Sequence, residues 1–369
     1  MGVVPENKRL KILLVLSVCV MTALVFVMTY SFNTDDEEVT EKVGFIILGN
    51  VREVGWNASN FNGMKAACEH YDIELLLREN VEENTGQCRD AIKELINEGA
   101  TMIFLASFSY SAEAKDLIES YPNIGFASNA GTTYPKNLTA YFVRMYQGRY
   151  LSGVLAGMKT KSNVLGYVAA MPNSEVNRGI SAFTLGAQSV NPNVKVVVMW
   201  TGSWQDEEIE KVHAERLIKE AGADVLTYHQ DEAATADVAD SLGVDFIAYN
   251  AVLEGYSDHY LASLNCRWDL FYKDVVQRYL KGELNSIQNH WIGVSQGAVN
   301  LSNYSKAVTP QMLETVENVH RQLNEDKFIF SGEIYDNQGN KRCAEGEVIS
   351  DDVLLTKMDW LVRGVEVLD

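Results

Sequence analysis

A segment rich in aromatic, amide and carboxylate side chains follows the first apolar run of the sequence, Val43 to Leu48. This segment contains Glu53, Trp56, Asn57 and Phe61. Aromatic rings can stack on a flat heteroaromatic ring, amides offer a donor and an acceptor to its edge, and carboxylates accept from its amine groups. Loops that follow the strands of a parallel sheet are frequent ligand sites. The segment is therefore a candidate binding site for a small planar solute.

Polar and aromatic residues at comparable positions follow later apolar runs or begin a later helix: Trp204, Asp231, Asn250 and Trp268. Each candidate also has a structural alternative, because large aromatic side chains often pack in a core. Glu53 and Asn57 can instead cap the helix that comes after them, and Asp206 is expected to be the cap of its own helix.

Signatures of several enzyme classes are absent from the sequence. It contains no GxSxG nucleophile elbow, no HExxH zinc helix and no GxGxxG after the first strand. Its 6 histidines are dispersed and its 5 cysteines form no CxxC motif, so a zinc site is not indicated. His229, at the end of a predicted strand, can face a ligand or be a hydrogen-bonded core residue. We expect a protein that is not an enzyme, with no metal and no cofactor.

The charge of the chain excludes one class of partner. The formal net charge is -19 at pH 7, with 50 acidic against 31 basic side chains. Nucleic-acid binding depends on Lys and Arg side chains that neutralise phosphates. We therefore expect no nucleic-acid partner, and the acidity itself selects no other ligand.

Short apolar runs alternate with amphipathic stretches along most of the chain. The clearest runs are Met102–Ala106, Val164–Ala169, Val194–Trp200 and Phe246–Tyr249. Runs of this length between helical segments are typical of parallel strands covered by helices. They occur as two similar series, which predicts an α/β fold of two doubly wound parallel-sheet lobes joined by hinge crossovers. Ligands of such sheets bind at the carboxyl ends of the strands, here the cleft between the lobes.

The predicted division of the chain follows from these two series. Residues 42–145 form lobe 1, which is completed by 266–295; residues 146–265 form lobe 2; and 296–369 are C-terminal crossover segments that complete the lobes. A short acidic linker, 33–41, and an N-terminal segment, 1–32, precede the body.

The N-terminal segment has the pattern of a membrane helix. Basic residues between Lys8 and Lys11 precede an uncharged, mostly apolar run from Ile12 to Phe32, and an acidic cluster follows it. That length can span a bilayer, and the charge pattern places the body outside the cell. We expect an uncleaved anchor; a cleaved signal segment and a lipid on Cys19 are the alternatives. Export would also permit a disulfide, for which Cys68 and Cys88 are candidates.

Several motifs occur in a characteristic order along the chain. They are Glu53-x-Gly55-Trp56-Asn57-x-x-x-Phe61-x-Gly63, Arg149-Tyr150-Leu151-x-Gly153-x-x-Ala156-Gly157, Arg178-Gly179-Ile180, Trp204-x-Asp206-x-x-x-Glu210 and Met358-Asp359-Trp360. From about Lys42 to Val365, the chain thereby resembles the basic membrane protein family of ABC-transporter receptors, which usually has aspartate in place of Glu53. The resemblance implies a type I periplasmic-binding-protein fold.

The resemblance also implies a function, namely the capture of purine bases or nucleosides for an ABC permease. Phe61 and Trp204 match the two aromatic residues that hold the base in the family, one from each lobe. Nucleoside receptors of the family carry an acidic residue near the position of Asn250, and its replacement here favours a free base. A membrane-anchored ligand sensor on the same fold, with no transport role, is the alternative.

Overall fold

The body of the chain, residues 42–369, contains two parallel β-sheets covered by helices. The computed structural model describes residues 20–22, 41–52, 55–129, 135–251, 255–283, 290–325 and 328–368. The chain divides into two compact units at Glu41, and the sheets belong to the second unit. The predicted α/β class with two doubly wound lobes is confirmed.

The sheet of lobe 1 has six parallel strands in the order β11-β5-β4-β3-β1-β2. The strands are β1 (Lys42–Ile46), β2 (Glu74–Arg78), β3 (Met102–Leu105), β4 (Gly125–Asn129), β5 (Leu138–Val143) and β11 (His290–Ile292). All residues of β3 and β5 are buried. Burial on both faces explains why these strands are nearly continuous apolar runs in the sequence.

The sheet of lobe 2 has seven strands in the order β12-β10-β9-β8-β6-β7-β15. They are β6 (Val164–Ala169), β7 (Lys195–Trp200), β8 (Val225–His229), β9 (Asp245–Tyr249), β10 (Tyr260–Cys266), β12 (Val299–Ser302) and β15 (Val365–Val367). Only β12, which pairs with β10, is antiparallel among the described ladders of this sheet. A two-stranded hairpin of β13 (Ile334–Tyr335) and β14 (Lys341–Cys343) lies in the C-terminal segment.

Helices connect these strands. In chain order they are α1 (Trp56–Tyr71), α2 (Gln87–Asn97), α3 (Tyr110–Glu113), α4 (Lys115–Ser120), α5 (Met145–Lys159), α6 (Ser174–Val190), α7 (Glu207–Lys219), α8 (Ala234–Ser241), α9 (Trp268–Leu280), α10 (Pro310–Asn324) and α11 (Asp351–Thr356). The Asp206 carboxylate accepts a hydrogen bond from the Ile209 N–H at 3.1 Å, which confirms that Asp206 caps α7. Asn173 caps α6 in the same way.

Three short crossings join the lobes, after β5, after β10 and after β11. Backbone hydrogen bonds tie them together: the Arg144 N–H donates to the Ile292 carbonyl at 2.6 Å, and the Arg267 N–H donates to the Ala298 carbonyl at 2.8 Å. Because segments bonded to one another turn together, the crossings form one hinge.

The C-terminal segment is fastened to lobe 2. Strand β15 extends the sheet of this lobe beside β7. On α6, the Ser174 hydroxyl donates to the Leu355 carbonyl at 2.6 Å, and the Arg178 guanidinium donates to the Leu354 carbonyl at 3.2 Å. Arg178 therefore braces this segment.

Helices α5 and α6 of lobe 2 pack with their backbones in close approach. A Cβ atom added at Gly153 would lie 1.9 Å from the Phe183 carbonyl oxygen, and one at Gly186 would lie 2.1 Å from that of Tyr150. Neither distance leaves room for a methyl group. These glycines are thus required by helix packing, which explains Gly153, one of the glycines of the motifs.

Two expectations from the sequence concern the N-terminus and the cysteines. Within the described ranges, no helix has the length and apolarity needed to cross a membrane. Most of the Ile12 to Phe32 run lies outside the described residues, which include only positions 20–22 of it. Cys68 and Cys88 are both buried and free, so the candidate disulfide between them is not formed.

Substitution of Gly186 by Ala should lower the free energy of unfolding by about 1–3 kcal/mol, because the new methyl group would overlap the Tyr150 carbonyl. Gly179→Ala in the same helix is the matched control, since its nearest neighbour would be 3.6 Å away. There the greater helix propensity of Ala should be neutral or stabilising by up to about 1 kcal/mol. Urea unfolding measures both, and equal effects would show that the α5–α6 approach does not limit stability.

Candidate functional site

A small cavity lies in the cleft between the two lobes. Its volume is about 20 Å³. Lobe 1 lines it with Trp56, Ser107, Phe108 and Asn129, and lobe 2 lines it with Glu175, Trp204, His229, Asp231 and Tyr249. This volume holds about one water molecule, whereas sites for small organic ligands usually measure about 300–1,000 Å³. The lobes are therefore in a closed arrangement, and a ligand must enter when they are open.

Direct contacts between the lobes show how closely they approach. A Cβ atom on Gly55 in lobe 1 would lie 2.1 Å from the backbone oxygen of Asp231 in lobe 2. The Asn57 amide nitrogen lies 3.5 Å from the Asp231 carboxylate. Asn57 and Asp231, two predicted site residues, thus meet across the cleft, and glycine at position 55 allows this approach.

Trp56 is the aromatic residue that lobe 1 places in the cavity wall. Helix α1 begins at this residue, with Gly55 as its cap. The indole N–H donates to the Ala106 carbonyl at 3.1 Å, and the ring meets Trp268 edge-on with centroids 5.2 Å apart. Trp56 therefore combines the two roles that the sequence left open, since it lines the cleft and is also packed and hydrogen-bonded from behind.

Trp204 is the aromatic residue that lobe 2 contributes, from the loop after β7. Its backbone oxygen accepts a hydrogen bond from the Asp231 N–H at 2.9 Å, which joins two cleft loops. Its ring centroid lies 6.0 Å from that of His229. The buried indole N–H has no hydrogen-bond partner within the described part of the chain. The expectation that Trp204 faces the cleft agrees with this placement.

Phe61 lies apart from the cavity that Trp56 and Trp204 line. It lies outside the sets of described residues that line the two cavities of the cleft, and it packs partly buried against the core. The buried face of α1 includes Trp56, Asn57, Asn60 and Met64. Phe61 is five residues beyond Trp56, which on a helix is a different face. In this structure Trp56 therefore lines the same cavity as Trp204, in the place predicted for Phe61.

The wall of lobe 2 contains a buried group of ionisable side chains. The His229 Nε2 atom lies 3.2 Å from the Tyr249 hydroxyl and 3.6 Å from the Glu175 carboxylate. Burial lowers the pKa of His229 to about 4, although Glu175 acts in the opposite direction. The Tyr249 hydroxyl donates to Met145 Sδ at 2.9 Å, so the proton of the neutral imidazole belongs on Nε2.

Arg149 lies behind this wall and is fully buried. Its guanidinium stacks 4.1 Å from the Tyr249 ring centroid and donates to the Tyr228 carbonyl at 2.8 Å. Among the described residues that line the cavity, the side chains that carry formal charge are the carboxylates of Glu175 and Asp231. The charged groups of this lining are therefore hydrogen-bond acceptors, and the positive charge of Arg149 lies in the layer behind them.

Asn129, the last residue of β4, presents a complete amide to the cavity. The residue is fully buried, and neither its oxygen nor its nitrogen has a hydrogen-bond partner among the residues that the structure describes. A buried amide without partners loses its hydration with no compensation, at a cost of about 1–3 kcal/mol. A ligand with one donor and one acceptor on adjacent atoms would satisfy both atoms of this side chain.

A second cavity of about 430 Å³ continues along the cleft. Lobe 1 lines it with Gly55 and with residues of α1 that include Ser59 and Asn62, and the ends of β9 and β10 supply Asn250 and Asn265. Asn250 is buried, and its amide atoms have no partner among the described residues. Trp268 also lines this second cavity, and its ring packs edge-on against the Trp56 ring. The two cavities are neighbours, because Gly55 and Trp56 are consecutive, as are Tyr249 and Asn250.

The predicted site residues divide into groups. Trp56, Trp204 and Asp231 line the first cavity, Asn57 contacts Asp231, and Asn250 and Trp268 line the second. Phe61 lines neither, and Glu53 lies outside the described residues. In the part of the chain that the structure describes, no group of three or more His, Cys, Asp and Glu residues could hold a metal ion.

Several lining residues were not predicted: Ser107, Phe108, Asn129, Glu175 and Tyr249. Four of them had a signal in the sequence. Ser107 and Phe108 come shortly after β3, Asn129 ends β4 and Tyr249 ends β9, which are the positions where ligands of parallel sheets bind. Glu175 lies in the first turn of α6 and has no such signal, since carboxylates are common at that position of surface helices.

Comparison with known proteins gives a consistent result. The family model described as ABC transporter substrate-binding protein PnrA-like matches residues 40–338. A purine-binding protein of Brucella abortus is 32% identical over 328 residues, which cover 88% of this chain and 93% of that protein. A candidate ABC-transporter glucose-binding protein of Haloferax volcanii is 30% identical over 333 residues, covering 89% and 81%.

Solved structures share the architecture at low sequence identity. A solute-binding protein of an ABC transporter system from Aeropyrum pernix aligns with a TM-score of 0.67 and 15% identity. The alignment covers 78% of this chain and 93% of that one. This similarity supports the fold alone, namely the type I periplasmic-binding-protein arrangement implied by the motifs, which is thereby confirmed.

Acid should destabilise the folded chain through His229. Its pKa is about 4 when folded and about 6.5 when unfolded, so below about pH 6.5 the unfolded state takes up the proton first. The free energy of unfolding should therefore fall by up to about 3 kcal/mol between about pH 6.5 and 4, and this loss should be absent in His229→Gln. Urea unfolding across that range measures it. His70→Gln, at an exposed histidine, should keep the wild-type dependence; an unchanged slope in His229→Gln would contradict the assignment.

Proposed function

We propose that this chain, which belongs to the PnrA-like family of ABC-transporter substrate-binding proteins, captures a purine base or nucleoside in its interlobe cleft and delivers it to an ABC permease. The observation that carries the proposal is the pair of tryptophans, Trp56 and Trp204, that line one cavity from opposite lobes. We infer a binding role and no catalysis for this site.

The two indole rings favour a flat ligand. A heteroaromatic base can stack on aromatic faces with a gain of about 0.5–1.5 kcal/mol per pair beyond the area that it buries. Because one ring belongs to each lobe, a ligand that touches both rings is held between the lobes, which must stand further apart than in the closed arrangement, whose cavity holds about one water molecule. Stacking would therefore couple capture of the ligand to closure.

The polar groups of the cavity suit the edge of a purine. The Asn129 amide can pair with an adjacent donor and acceptor, as amides do with the edge of adenine. The Glu175 and Asp231 carboxylates can accept hydrogen bonds from ring or exocyclic N–H groups. Together with the absence of a cationic side chain among the described lining residues, this arrangement favours a ligand that is rich in N–H donors.

A sugar is the competing ligand, because the relative from Haloferax volcanii is named for glucose. Tryptophan faces and carboxylates also bind sugars, so these residues alone do not discriminate. The Asn129 amide and the identity to a purine-binding relative over 93% of its length favour the purine. The second cavity beside Asn250 has room for the ribose of a nucleoside, although an amide stands where the family's nucleoside receptors carry an acid.

We also propose that the body is extracytoplasmic and is held at the membrane by the N-terminal segment. The support is the sequence pattern alone, with basic residues before the Ile12 to Phe32 run and an acidic cluster after it. A receptor that feeds a permease benefits from such tethering, because it stays near its partner. A sensor on the same fold would need a further protein to carry its signal inward.

Loss of either tryptophan should weaken purine binding. Trp56→Ala and Trp204→Ala should each reduce the affinity for adenine or adenosine by about 1–3 kcal/mol, because each removes one stacking face. Phe61→Ala is the matched control, since Phe61 lies on the same helix as Trp56 but outside both cavities, and its affinity should stay near that of the wild type. Calorimetric titration measures all three.

Titration with adenine, adenosine and glucose tests the ligand class with the same samples. Tight binding of a purine with no glucose binding is the expected result. Saturable glucose binding without purine binding would overturn the purine proposal. Purine binding that Phe61→Ala abolishes and Trp56→Ala leaves intact would show that the stacking position is wrong.

Removal of residues 1–40 should release the protein from membranes. In cells that express the full chain, we expect it in the membrane fraction after an alkaline wash, with the body accessible to protease added outside. The shortened chain, fused to a cleavable export signal, should be recovered in the soluble fraction. A full chain found in the soluble fraction, or a body protected from external protease, would contradict the proposed anchor.

A further inference from the structure

A third cavity lies at the hinge, apart from the cleft. Its volume is about 380 Å³. The crossing after β5 contributes Arg144 and Tyr146 to its lining, and Trp291 lines it from β11, where the third crossing begins. The C-terminal segment contributes further residues, among them Phe330 and Asp351. None of its lining residues lines either cavity of the cleft. The cavity is thus a separate site, built where two hinge crossings meet the segment that is fastened to lobe 2.

Aromatic rings form much of its wall. The Tyr146 ring lies 5.4 Å from the Trp291 ring and 5.6 Å from the Phe330 ring, measured between centroids. At the rim, Phe328 is 60% exposed and Val348 is 48% exposed. Large apolar side chains left in water around a concavity favour an occupant that covers them.

The charges of the lining favour an uncharged occupant. The Arg144 guanidinium binds both carboxylate oxygens of Asp351, and it also donates to the Trp291 carbonyl and the Tyr146 hydroxyl. Most of its N–H groups are therefore engaged within the protein. Among the described lining residues, Arg144 and Asp351 carry formal charges. These charges cancel, so the lining favours neither an anion nor a cation.

The remaining polar groups are mainly donors. The side-chain oxygen of Gln147 accepts from the Val294 N–H, and that of Gln296 accepts from the Gly293 N–H, both at 2.8 Å. The oxygen of each amide thus accepts one bond within the hinge, and the amide NH2 group of each side chain can donate to an occupant. An occupant that carries a hydrogen-bond acceptor would match these groups.

We propose that this hinge cavity is a second ligand site, which binds an uncharged aromatic or alicyclic molecule carrying a carbonyl-type acceptor. The volume lies within the range of about 300–1,000 Å³ found for sites of small organic ligands. The site is independent of the purine proposal, since it shares no lining residue with the cleft. A molecule bound there contacts two crossings of the hinge and the C-terminal segment together.

Benzophenone is a suitable probe, because it is uncharged, has two aromatic rings and one carbonyl oxygen, and labels nearby C–H groups under ultraviolet light. The full chain is irradiated with increasing amounts of benzophenone, and the labelled peptides are identified by mass spectrometry. We expect saturable labelling of the peptides that contain Phe328 to Phe330 or Val348 to Leu354. This mapping separates the cavity from non-specific uptake by the apolar N-terminal segment or by detergent.

Val348→Trp should fill the cavity from its rim and reduce labelling at low probe concentration by about tenfold, the change that corresponds to about 1.4 kcal/mol. Val212→Trp, at another exposed valine that lies on α7 away from the cavity, is the matched control and should label like the wild type. Phe328→Ser, which removes a rim ring without filling the space, should also weaken labelling. Labelling that does not saturate, that maps elsewhere, or that Val212→Trp reduces as much as Val348→Trp would overturn the proposal.

Discussion

The hydrogen bonds that tie the three interlobe crossings together are the constraint on which the other features depend. The Arg144 N–H bonds to Ile292 and the Arg267 N–H bonds to Ala298, so segments far apart in sequence turn as one hinge. Each sheet ends its strands at the cleft, and each lobe then contributes part of the binding surface. Neither lobe contains the site by itself. Ligand contact is therefore inseparable from the angle between the lobes.

The cleft is a desolvated polar surface, and its electrostatics follow from burial. His229 is neutral because its burial opposes protonation, while Arg149 supplies positive charge only behind the Tyr249 ring. The buried Asn129 amide and Trp204 indole N–H have no partners among the described residues. Buried polar groups without partners raise the free energy of the empty closed site, and a ligand that forms hydrogen bonds to them recovers this free energy. The unpartnered groups are thus the N–H donors of Trp204 and Asn129 and the oxygen acceptor of Asn129.

Sequence alone was sufficient for the architecture and for part of the site. The alternation of apolar runs and amphipathic stretches predicted both sheets, because strands buried on two faces leave a clear signal. Asp231, Trp204 and Trp56 line the cleft, as their positions after the strands suggested, and their contact with a ligand stays a prediction. Phe61 lies outside the lining of the two cavities because the helix begins at Trp56, five residues before it, and the two residues therefore occupy different faces; its contact with a base stays a prediction. Glu175 was missed because its role depends on adjacency to His229, a residue of a different strand.

The approach of Gly55 to Asp231 has a consequence beyond the local packing. The backbone of one lobe rests on a carbonyl of the other, with no space for even a methyl group between them. Any side chain at this position would contact the Asp231 carbonyl and keep the two lobes from closing fully. The closed arrangement of the lobes therefore requires glycine at position 55, because only a residue without a side chain fits there.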